Sequence, residues 1–99
     1  MKLTTEKNGT RLTVHISGEL NTETAPELAE LLNVDEAGVT DLTLDFAECK
    51  YVSSAGLRVL LDAYKKMKAG NGSMKLLNAN EYLQDVLKNT GLDELFGPM

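Results

Sequence analysis

Apolar and polar residues alternate early in the chain. Leu12, Val14 and Ile16 fall on one face and Thr13, His15 and Ser17 on the other, which predicts a half-buried strand over 11–17. Residues 2–7 carry a weaker version of this pattern. Asn8-Gly9 between the two is a hairpin signal, because both residues tolerate positive φ. Gly18-Glu19-Leu20-Asn21 then breaks the strand, and the period lengthens to that of a helix. Ala25, Leu28, Ala29 and Leu32 have i, i+3, i+4, i+7 spacing, with Asn21 or Thr22 as the cap and Pro26 tolerated in the first turn. Asn33 to Thr40 are largely polar, include Gly38 and read as a loop.

Alternation returns over Val39 to Phe46, where Leu42, Leu44 and Phe46 oppose Thr43 and Asp45. A short polar loop leads from Phe46 to a helix over about 54–69. Leu57, Leu60, Leu61, Tyr64 and Met67 are its expected inward positions, and Gly70-Asn71-Gly72 ends it. Ser73 to Asn78 predict a short strand around Met74, Leu76 and Leu77. Asn78 or Asn80 caps a third helix carrying Tyr82, Leu83, Val86 and Leu87. Thr90-Gly91-Leu92 is its left-handed stop, and Leu95 and Phe96 close the chain on the core. The order ββαβαβα predicts an α/β fold. A mixed, mostly parallel sheet of four to five strands carries packed helices, in one domain over 1–99.

Charge narrows the partner. The net charge is −5 and no Lys/Arg cluster exceeds Lys65-Lys66, so nucleic acid and an acidic membrane surface are both disfavoured. No apolar run approaches the roughly 20 residues of a membrane span, and the polar amino terminus lacks the core of a secretory signal. Cys49 stands alone, which fits a reducing compartment. A cytoplasmic monomer that binds another protein is the expectation.

Catalytic chemistry is thin. His15 is the single histidine, on the outward face of a strand and expected to be solvated, and one Cys with one His makes no zinc site. No Gly-x-Ser-x-Gly elbow or phosphate-binding Gly-rich loop occurs, and Glu19, Asp45 and Glu48 are read as solvated acids rather than a catalytic pair. The chain is therefore expected to be no enzyme and to use neither metal nor cofactor. What remains is Ser53-Ser54-Ala55-Gly56, four small residues at a helix start, where uncovered N–H groups suit an anion or a protein. One serine can be the cap. Gly56 costs about 1 kcal/mol relative to Ala inside a helix, so it implies close helix–strand packing or close approach by a partner.

The run from Leu44 to Leu57 resembles the signature of bacterial anti-sigma factor antagonists, the STAS-domain family. Gly18-Glu19-Leu20-Asn21 resembles that family's Gly-Glu-Leu-Asp, and Asn89-Thr90-Gly91-Leu92 its Ser/Thr-Gly-Leu; the element order agrees from residue 2 to about 96. The resemblance implies a protein switch. An antagonist holds an anti-sigma factor that is also a serine kinase, is released by phosphorylation at the position of Ser54, and is reset by a PP2C-type phosphatase. Ser54 is placed ahead of Ser53 as the modified residue, with Asn21, Thr22, Ser53, Ser54, Ala55, Gly56 and Arg58 at the partner surface. Ser53 and Asn21 stand where the family carries acids. A STAS domain serving as a non-switching scaffold, transporter-associated or in a stress-signalling complex, is the alternative. A carrier using Ser54 as an attachment point, like the all-helical acyl carrier proteins, is opposed by the alternating strands.

Overall fold

Strands β1 (Lys2–Asn8) and β2 (Arg11–Leu20) form an antiparallel hairpin in a computed structural model that describes residues 1–35 and 38–96. Asn8 stays in the strand opposite Arg11, so the turn is Gly9-Thr10, and Gly9 alone takes the positive φ. Strands β3 (Asp41–Val52) and β4 (Ser73–Leu77) complete one sheet of order β1-β2-β3-β4. The β2–β3 and β3–β4 pairs are parallel.

Two strands run further than their patterns suggest. β2 does not break at Gly18 but continues to Leu20, opposite Val52 of β3. Gly18 sits in the ladder at φ 98, which a side chain would resist, and the backbone of Met1 lies 3.3 Å from where its Cβ would stand. The polar stretch after Phe46 is not a loop either. β3 carries two register shifts against β2, each inserting an extra residue, and pairs all the way to Val52.

The helices are α1 (Ala25–Asp35), α2 (Ser54–Ala69), α3 (Glu81–Thr90) and the single turn α4 (Asp93–Phe96). α1 therefore takes in Asn33 to Asp35 of the expected loop, of which residues 36–37 lie outside the described residues. The buried stripe of α2 is Gly56, Leu60, Ala63 and Met67, with Leu57, Leu61 and Tyr64 only half-buried beside it. Gly56 faces Leu20 and Val52 of the sheet, which lets α2 lie close there, and Tyr64 meets Phe96 edge to face. In α3, Asn80 is the cap, Leu83 and Leu87 are buried, and Tyr82 is exposed rather than inward. Gly91 ends α3 in the left-handed conformation expected there.

One face of the sheet holds the core. Leu12, Val14, Ile16, Leu20, Leu42, Leu44, Phe46 and Leu76 join the buried helix positions in a single apolar cluster. Each such fully buried apolar side chain stabilises the fold by about 1.5–3 kcal/mol before entropy is counted. The opposite face presents the polar partners of that alternation, among them Thr13, His15, Asp45 and Lys75. Met74 is buried but Leu77 is exposed, since the period of two turns it outward.

Candidate functional site: the carboxyl edge of the sheet

Because β2, β3 and β4 are parallel, their carboxyl ends at Leu20, Val52 and Leu77 share one edge, and α1, α2 and α3 all start from it. Three helix starts gathered at one edge concentrate unsatisfied N–H groups there; Ser53 and Asn80 cap α2 and α3, whereas Asn21, expected as a cap, instead closes the turn that leads into α1. Asn21 Oδ1 accepts from the N–H groups of Glu23 (3.0 Å) and Thr24 (3.1 Å). The Thr24 hydroxyl accepts from Asn21 N–H and donates to the Glu19 carbonyl, both at 2.8 Å. Ser53 Oγ accepts from Gly56 N–H at 3.4 Å. Asn80 Oδ1 accepts from Leu83 N–H at 2.8 Å, while its amide group donates to the Cys49 carbonyl at 3.5 Å.

The Ser53 N–H donates to the Leu20 carbonyl at 2.8 Å, so the turns beginning at Asn21 and at Ser53 leave adjacent ladder positions. The structure thereby brings Asn21, Thr22, Ser53 and Ser54 together. Thr22 and Ser54 are exposed, while Asn21, Ser53 and Ala55 are half-buried. Ser54 is the first residue of α2, and among the described residues its hydroxyl has no partner. Arg58 lies one turn on, exposed, with its guanidinium 3.8 Å from Asp62. Gly56 alone points inward. A Cβ there would stand 2.8 Å from Leu20 Cγ and 2.9 Å from Val52 Cγ1, so of the two roles expected for it, packing is the one its surroundings explain.

Asp45, Glu19 and Glu48 do not assemble into a pair. Asp45 is held on the open face of the sheet by the Asn78 amide (2.9 Å), the Ala47 N–H (2.9 Å) and His15 Nδ1 (3.0 Å). The Asn78 hydrogen bond leads the causes that pull its carboxyl below the ordinary value; burial opposes, and Ala47 and His15 assist. An ionised Asp45 only accepts, so His15 carries its proton on Nδ1, and Nε2 faces Glu6 at 3.5 Å. His15 is thus hydrogen-bonded to Asp45, with Glu6 beside its other nitrogen, instead of simply solvated. Glu19 and Glu48 are exposed at the carboxyl edge, where they line a shallow hollow of about 520 Å³ with Lys50 and Asn21.

One feature of this edge escaped sequence reasoning. Tyr51, near the end of β3, stacks on Tyr82 of α3 at 5.7 Å between ring centres, and both rings remain exposed, at 40% and 45%. The amphipathic stripe that claimed Tyr82 for the core is satisfied by Leu83 and Leu87, and nothing local to Tyr51 signals a partner 31 residues away. Beneath it Cys49 is buried, and burial pushes its thiol up, away from the reactive thiolate.

No helix among the described residues is long and apolar enough to cross a membrane, and no cluster of three metal-ligating side chains occurs among them. The family model for the STAS domain matches residues 2–99. The anti-sigma-B factor antagonist of Bacillus subtilis is 34% identical over 91 residues, covering 91% of this chain and 83% of its own. Among solved structures, the anti-sigma factor antagonist SpoIIAA in its unphosphorylated form superposes with a TM-score of 0.87, covering 97% of this chain and 86% of its own. The Bacillus cell fate determinant SpoIIAA in its phosphorylated form gives 0.80, over 97% and 89%. Both are 18% identical in sequence, so they speak for the fold.

Proposed function

The chain belongs to the STAS domain family, and on that footing we propose that it is an anti-sigma factor antagonist whose grip on its partner is reset by phosphorylation of Ser54. It works in the cytoplasm as a monomer, binding an anti-sigma factor that is also a serine kinase and so freeing a sigma factor. A PP2C-type phosphatase restores it. The relative at 34% identity carries the antagonist's name over nearly this whole length, and SpoIIAA, whose fold this chain shares, occurs in a phosphorylated form.

The observation that carries the switch is the contrast between the two serines. Ser53 is half-buried with its hydroxyl in the cap, whereas Ser54 is exposed with a hydroxyl that has no partner among the described residues. A phosphate on Ser54 adds about −1.5 to −2 charge. The N–H groups and dipole of α2 tolerate it within the chain, with Arg58 one turn on. Against a closely packed partner it adds bulk and a desolvation cost. Asn21 and Ser53, where the family carries acids, still make the turn and cap bonds that carboxylates would make, so these departures remove charge from the surface without loosening the turns.

Mass spectrometry of the chain isolated from its own cells is expected to find one phosphate, on Ser54. Ser54→Asp loses the anti-sigma factor while its melting temperature stays within about 3 °C of the parent, and Ser54→Ala binds without regulation. If both variants bind as the parent does, the switch is wrong and the scaffold reading takes its place.

A further inference from the structure

We infer that the stacked pair Tyr51–Tyr82 is the apolar anchor by which the anti-sigma factor grips the carboxyl edge, and that the anchor is received by a basic-rimmed pocket on that partner. This rests on the proposed function and names a second part of the same contact surface.

The pair is built into the edge rather than scattered on it. Tyr51 is three residues before Ser54 and opposite Glu19 in the β2–β3 ladder. Tyr82 is the second residue of α3, whose cap Asn80 also reaches the Cys49 carbonyl two residues before Tyr51. Both rings are therefore positioned by the caps and strand ends that position Ser54. Rings fixed in this way lose little freedom on binding, and tyrosine is among the residues that dominate interface energetics. Each ring covers part of the other and 40–45% of each residue stays exposed, which puts them among the few large apolar side chains left so on the described residues.

Charge says what covers them. The exposed side chains of this edge include Glu19, Glu23, Glu48 and Glu81 against Lys50 and Arg58. A second copy would bring like charge to like charge, on a chain whose net charge is already −5. A partner with basic groups around an apolar pocket is favoured instead, with association that weakens as salt rises. A basic rim would by itself attract a phosphate on Ser54, so the phosphate acts here through its bulk and the cost of desolvating it at the point of closest packing.

The test is calorimetric titration of the purified anti-sigma factor from the same genome into the full-length chain. Tyr82→Ala, and separately Tyr51→Ala, are expected to weaken binding by about 30-fold each. Tyr82→Phe keeps the ring and binds within about threefold of the parent, and Arg11→Ala at the far end of β2 leaves binding unchanged. Melting curves accompany each variant. Tyr82 lies on an exposed helix face, so its variant decides the matter even if Tyr51→Ala folds poorly. Binding by Tyr82→Ala within about twofold of the parent overturns the anchor and leaves the proposed function standing. A parent chain that binds none of its genome's anti-sigma factors overturns both.

Discussion

Ser53, Ser54 and Gly56 divide one helix start into three tasks. Ser53 closes the turn, Ser54 is held outward, and Gly56 lets α2 approach the strands. The last task is measurable. Ala is the better helix former by about 1 kcal/mol, yet its Cβ would stand 2.8–2.9 Å from Leu20 Cγ and Val52 Cγ1. Val52 is stiff at χ1 and both neighbours are buried, so neither swings aside freely. Overpacking of this kind costs about 1–3 kcal/mol and outweighs the propensity gain. Gly56→Ala is expected to lower stability by about 1–2 kcal/mol in urea unfolding, and an unchanged or raised midpoint would show that α2 simply shifts. The need for glycine at 56 was legible from its place in an early helical turn. Its cause was not, because Leu20 is 36 positions away and only the ladder brings it there.

The strands show where a pattern stops being readable. Up to Phe46 the period of two is clean, and the strand was evident. Beyond it the register shifts place buried residues at Phe46, Cys49 and Val52, a spacing of three that reads as no strand at all. In β2, Gly18 hid the continuation, since a residue without a side chain leaves a gap in the alternation that Leu20 resumes. Before either shift, His15 and Asp45 are already ladder partners, in a cross-strand network that their separation of 30 residues concealed. That network makes stability depend on pH. Asp45 titrates below its ordinary value in the folded chain, so its ionised form stabilises the fold. The contribution is complete above the unfolded pKa of about 3.9 and fades as pH falls through the lower native value. Asn78→Gly removes the leading hydrogen bond without straining a residue that already stands at φ 59. It is expected to cost about 1 kcal/mol at pH 7 and progressively less below pH 4. A penalty that is equal at pH 7 and in strong acid would assign it to the loop backbone instead.

Seen as a single body, the chain puts the proposed switch on its firmest part. β2 and β3 are each paired on both sides, whereas β1 is an edge whose side chains are exposed except for the half-buried Leu3. The turn at Ser53 is bonded to Leu20, and Asn80 is bonded to Cys49, so the carboxyl edge hangs from the two central strands. Local opening starts where few buried contacts resist it, and central strands exchange only when the whole fold opens. Native-state hydrogen exchange should therefore find the amides of Val14 and Leu44 protected to the level of global unfolding. Those of β1 should exchange at least about tenfold faster, a difference of 1.4 kcal/mol in opening free energy. Ser54→Asp should leave this ranking intact, because a charge at the start of α2 acts on a surface and not on the ladder beneath it. Loss of protection through β2 and β3 in that variant would mean that the phosphate works by loosening the fold, and the rigid-surface account of the switch would fall.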